Sequence, residues 1–190
     1  AIFVGWMLMM NLASLAFSRE GRSYWMLKAA PIRPWQMLAG KFSVSYIPAV
    51  TLSLLFLLVS FAIRGLDWAF LPYCMLVVAL CIAGATAIAL AFGATGANLD
   101  WDSPQRQRLR GAGGCLMVIV VSLYLLVDLT LFLLPPGLWQ ILAMFRGGIG
   151  EPPLLSYLLG ILLGGTAALV AVFLPLRLVA PRLARIGEPE

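Results

Sequence analysis

Few residues in this chain are of a type that does chemistry, and one of them sits where charge is costly. Asp128, in Tyr124-Leu-Leu-Val-Asp128-Leu-Thr130, interrupts an apolar run long enough to cross a bilayer. A carboxylate at membrane depth costs about 2.5–3.5 kcal/mol on insertion scales, so it should face protein or water. Three readings stand for Asp128. It is a polar point on a pathway through the membrane, a partner for Arg64 or Arg146, or a group close enough to Pro135 to reach water at the outer boundary. Carboxylate chemistry of the acid–base kind needs a second acid or a histidine, and the 190 residues contain no histidine. No catalytic residue is therefore assigned. An intramembrane enzyme is the weakest of the function classes considered.

The other reactive side chains lead no further. Cys74, Cys81 and Cys115 lie in or at the edge of apolar runs without CxxC spacing, so they read as small buried hydrophobes and no metal site is expected. A phosphate-cradling loop needs GxxxxGK[ST]. Gly40-Lys41 is followed by Phe42, and Trp35 stands where the first glycine would be. No cofactor is expected on this chain.

The elements that carry these residues follow from composition. The chain is 62% hydrophobic and 11% charged, against about a quarter charged in soluble domains. So few charges cannot clothe a water-facing surface, and the lipid bilayer is the expected solvent. The net charge of +5 comes from basic residues in separate short loops. That excludes a nucleic-acid surface and suits loops that fix membrane orientation.

A span needs about 20 apolar residues. Five runs come close: 1–17, 42–63, 70–92, 113–134 and 154–179. Backbone polar groups in lipid must be satisfied within the segment, and the runs lack strand alternation, so all are expected to be helices. The expected fold is an all-α polytopic transmembrane bundle of about five spans, one domain over 1–190. The run 1–17 begins without a methionine or a basic leader and reads as a truncated span with more chain before it.

Basic residues alternate between the loops. Arg19, Arg22, Lys28, Arg33 and Lys41 fall in 18–41, Arg64 alone in 64–69, and Arg106, Arg108 and Arg110 in 93–112. Arg146 stands alone in 135–153, and Arg177, Arg182 and Arg185 lie in the tail. The positive-inside rule then places 18–41, 93–112 and the C-terminus in the cytoplasm and the N-terminus outside, in a multi-pass protein of the cell membrane. Trp35, Trp68, Trp101 and Trp139 fall just beyond the apolar cores, where indole favours the interface. Ala83, Ala87 and Ala91, Ala85, Ala89 and Gly93, and Gly160 with Gly164 recur every four residues, a spacing that lets helix backbones approach.

Between 135 and 153, Pro135-Pro136-Gly137, a Gly147–Gly150 cluster and Pro152-Pro153 bracket the apolar stretch 138–145, too short to span. It reads either as a re-entrant or interfacial helix on the outer face, or as an ordinary loop.

Segment 18–41 is the longest polar stretch. Ser23 to Ala30 can form a short helix with Trp25, Met26 and Leu27 as its apolar mass. Pro31 and Pro34 stop it, and Pro34 suits the first turn of the next helix. Such a helix either docks on a soluble partner or lies on anionic lipid.

The run Arg19-Glu20-Gly21-Arg22, then Leu27, Ala30-Pro31-Ile32 and Gly40-Lys41, resembles the segment after the second helix of ABC-2 type exporter permeases, in particular a bacterial subgroup of ABC exporter permeases. The loop Gly93–Pro104, with Asn98, Asp100, Trp101 and Pro104, resembles that subgroup's cytoplasmic loop, with Ala97 where a proline is usual. The resemblance covers about 40 residues directly and implies the second to sixth helices of a six-helix half. It implies a permease subunit of an exporter, not itself an enzyme, moving substrate on ATP and magnesium bound by a separate ABC ATPase. It implies that Glu20, Gly21, Arg22, Trp25, Leu27 and Pro31 belong to the coupling helix that docks on that ATPase. The other partner it implies is a second permease half or a second copy of the chain. The alternative is a polytopic scaffold or a component of a different transporter class.

Overall fold

The computed structural model describes residues 1–18, 34–96, 113–145 and 152–181. The described residues are almost wholly helical: α1 (Ile2–Ala13), α2 (Pro34–Arg64), α3 (Leu71–Thr95), α4 (Gly113–Phe145) and α5 (Leu154–Val179). A 3-10 turn, Trp68–Phe70, leads into α3, its entry held by the Asp67 carboxylate accepting from the Ala69 amide at 3.0 Å. Four helices are long and apolar enough to cross a membrane. The all-helical, membrane-type bundle expected from composition is thus present. α1, at 12 residues, rises only about 18 Å and falls short of a ~30 Å hydrocarbon core.

α3 is the centre. It packs against each of the other four helices, with α1 and α2 on one side and the α4–α5 pair on the other. Its small residues explain why. Gly84, Ala85, Ala87, Ala89, Ala91, Gly93 and Ala94 are all buried, and with so little side chain the neighbours approach its backbone. A Cβ on Gly93 would stand 2.7 Å from the Ser14 carbonyl oxygen and 2.9 Å from that of Ala13, so only glycine admits the end of α1 there. The buried hydroxyls Ser53 and Thr86 donate to carbonyls one turn back, Ala49 and Ile82, each at 2.7 Å. That satisfies them where no water reaches.

Consecutive helices run in alternating directions. The α1 C-terminus meets Gly93 near the end of α3, and the Lys41 amine near the start of α2 donates to the Ala16 carbonyl at 2.6 Å. At the opposite end of the bundle, Tyr73 of α3 reaches Phe132 of α4 and Gly160 of α5. The flanks of segments 19–33 and 97–112 therefore leave the bundle at one end.

Of the two readings of 135–153, a helix or a loop, 138–145 is helical, as a continuation of α4 rather than as a separate element. The helix runs on through Pro135 and Pro136 to Phe145. Each proline removes an amide and frees the carbonyl four residues earlier. Pro136 frees the Phe132 carbonyl, and the Tyr73 hydroxyl of α3 donates to that oxygen at 2.7 Å. A neighbouring helix thus supplies the missing donor, which is how membrane helices tolerate proline.

Candidate functional site

Asp128 lies near the middle of α4, on its buried row with Met117, Val121, Phe132 and Pro136. Only 1% of its surface is exposed. The Tyr124 hydroxyl, one turn earlier, donates to Oδ2 at 3.0 Å. The i to i+4 spacing brings the two side chains onto one helix face. The Cys81 thiol of α3, fully buried, is the other side-chain group at this carboxyl. The Tyr124 ring lies on Gly84 of α3, where a Cβ would stand 2.5 Å from the phenol Cζ. Glycine at 84 makes room for the phenol, and the phenol reaches the acid.

Oδ1 has no hydrogen-bond partner among the described residues. Arg64, offered as its partner, is exposed at the C-terminus of α2, and Arg146 lies outside the described residues. Because α4 continues past Pro135, Asp128 stands deeper in its helix than a boundary at Pro135 implies. The cluster joins α3 to α4 through a buried polar contact. No second acid faces it among the described residues. No group of three His, Cys, Asp or Glu side chains gathers for a metal among them either.

Sequence reading singled out Asp128 but not Tyr124 as its donor, nor Cys81 as its neighbour, nor Gly84 as the seat of the Tyr124 ring. The four-residue spacing was the available signal for Tyr124. Cys81 and Gly84 come from another helix, and no local pattern announces them. The residues of the expected coupling helix, Glu20, Gly21, Arg22, Trp25, Leu27 and Pro31, lie outside the described residues. So do Asn98, Asp100, Trp101 and Pro104.

The frame from which these segments depart is well knit. Lys41 donates to the carbonyl of Ala16, three residues beyond the end of α1, and its ammonium stands 4.5 Å from the Phe17 ring centroid, where the ring's quadrupole favours a cation. Lys41 is thus committed to the α1–α2 junction, and Gly40 lies inside α2 rather than in a loop.

A family model described as a putative ATP-binding cassette matches residues 10–186. No curated protein and no solved structure matches the chain. The match bears out a relation to ATP-binding-cassette systems. It also corrects two expectations. The description is of an ATP-binding cassette, not of an ABC-2 permease, so a substrate-moving permease subunit served by a separate nucleotide-binding subunit is not what the family match supports. The expectation that the chain is no enzyme falls with it, because a cassette of this kind ordinarily hydrolyses ATP.

Proposed function

From the chain's membership of the putative ATP-binding cassette family, shown by the match over residues 10–186, we propose that it is the membrane-embedded part of an ATP-binding-cassette system. Its partners are the other components of that system, a second bundle of the same kind among them, and ATP with magnesium serves as the system's cofactor pair. The observation that carries this reading is the four membrane-length apolar helices inside the matched region. A fully soluble cassette has no use for them.

Two further observations support it. The flanks of segments 19–33 and 97–112 leave the bundle at one end, and these segments hold four and three basic residues, while 65–70 holds none and 146–153 holds Arg146 alone. Positive charge on one side is the signature of a cytoplasmic face, and that is the face on which ATP is available. The junction from which 19–33 departs is braced on three helices, by Lys41 on Ala16 and by Ser14 on Gly93. A braced junction transmits displacement to α1, α2 and α3 together.

The test is extraction followed by co-purification. The chain should stay in membranes washed with alkaline carbonate and carry ATPase activity with it in mild detergent. Glu20→Arg should lose that activity while the chain stays in the membrane. Release by carbonate, or a membrane-resident preparation that never shows ATPase activity, would overturn the proposal.

A further inference from the structure

α4 and α5 form a V. They meet where Gly160 and Gly164 sit against Phe132: a Cβ on Gly160 would be 2.5 Å from the Phe132 carbonyl oxygen, and one on Gly164 2.5 Å from the ring Cγ. From that closed end they diverge. Between them, over α3, lies a groove of about 700 Å³. A second hollow of about 300 Å³ continues it toward Thr95 and Val179, sharing Ala91, Phe92, Pro175 and Leu178 with the first. The floor is cut by small residues, Ala91 on α3 and Ala167 and Ala171 on α5, and Val120, Leu131 and Leu174 rise beside it.

The lining selects the occupant. The Thr166 hydroxyl at the edge already donates to the Leu163 carbonyl at 2.9 Å, and every other lining side chain is hydrocarbon. Nothing in the groove demands a polar partner. From Leu163 to Leu178 the groove follows α5 for about 22 Å by helical rise. A flexible hydrocarbon chain fits that length and lining. It would run from mid-bundle to the helix ends, further than the ~15 Å half-thickness of a bilayer core. At the groove's open end Arg177, one residue before Leu178, is exposed in the last turn of α5.

We propose that this groove holds one acyl chain of an anionic bilayer phospholipid, with its headgroup phosphate at Arg177. The inference rests on the membrane reading above. The chain is an integral bundle, and a lipid occupies a fixed seat in it rather than exchanging around the whole perimeter. The V supplies depth, the alanines supply width, and Arg177 supplies the preference for negative charge.

The experiment uses the full chain in nanodiscs of phosphatidylcholine and phosphatidylglycerol with a trace of phosphatidylglycerol carrying a photoreactive acyl chain. Crosslinks are mapped by peptide mass. They should concentrate on the groove faces of α3, α4 and α5. Ala167→Trp and, as a second fill, Val170→Trp should reduce them several-fold, while Leu169→Trp, beside the groove but not in it, should not. Arg177→Gln should cut the preference for phosphatidylglycerol over phosphatidylcholine by about fivefold, the effect of one basic residue at an anionic surface. Labelling spread evenly over all lipid-facing helices, or labelling indifferent to both tryptophan fills, would overturn the lipid seat. Crosslinks to a second protein at Ala167 would assign the groove to a partner and overturn it equally. Failure of the chain to enter nanodiscs would instead count against the membrane reading.

Discussion

The two ends of the α4–α5 pair are built from the same kinds of residue and do opposite things. At one end glycine meets aromatic: Gly160 and Gly164 let Phe132 come into backbone contact, and the Tyr73 hydroxyl reaches the Phe132 carbonyl freed by Pro136. At the other end alanine meets aliphatic, and the helices stand apart over a groove of about 700 Å³. Small residues close the first end and open the second. The difference is what stands opposite them. A ring and a freed carbonyl fill the space at Gly160 and Gly164, whereas nothing of the described chain fills the space at Ala167.

The comparison breaks most sharply at Gly160. Gly160→Val would place side-chain carbon into the Phe132 carbonyl, which is backbone and cannot swing aside. A loss of about 3 kcal/mol or more is expected from overpacking of this kind, read as a lower melting temperature in detergent. Tyr124→Phe comes next. It leaves the buried Asp128 carboxyl without its hydroxyl donor, and a buried group deprived of its partner costs about 1–3 kcal/mol. The double variant Tyr124→Phe/Asp128→Leu should recover part of that loss, because both polar partners are then gone.

Tyr73→Phe tests the closed end more gently. Removing the hydroxyl leaves the Phe132 carbonyl unpaired, and interhelical hydrogen bonds in membranes are worth about 0.6 kcal/mol, at most about 1.7. If the proline kink depends on this donor, Tyr73→Phe should also increase amide exchange around 131–137, and Pro136→Ala should suppress that increase. The smallest effect has the opposite sign. Gly40, inside α2, has nothing within 4 Å of where a Cβ would stand. Gly40→Ala should stabilise by about 0.5–1 kcal/mol through helix propensity.

These positions also show how far the sequence could be read. The bundle was legible because lipid solvation requires long apolar runs, and four of the described helices are long and apolar enough to cross a membrane. The central place of α3 was foreshadowed by its alanine and glycine rows, whose spacing is local. The course of α4 was not legible. Pro135-Pro136-Gly137 is a stop signal by every local rule, and the donor that lets the helix continue, Tyr73, lies 59 residues earlier in the chain. Asp128 was legible as an oddity but not in its contacts, since Cys81 reaches it from another helix and Gly84 of that helix makes room for Tyr124. The family motifs in 19–33 and 97–112 were legible as a resemblance, and the family match kept its coarse part, the relation to ATP-binding-cassette systems, while correcting the permease assignment.

The central claim is that these helices cross a bilayer in alternation, with the braced junction on one face. Single-cysteine accessibility tests it directly. In a variant with Cys74, Cys81 and Cys115 replaced by alanine, cysteines are placed one at a time at Gly65, Pro152, Gly96 and Gly113 and treated with a membrane-impermeant maleimide in sealed vesicles of known orientation. Gly65 and Pro152 should label from one side, and Gly96 and Gly113 only from the other. Labelling of all four from the same side would contradict the bundle as a membrane-spanning structure.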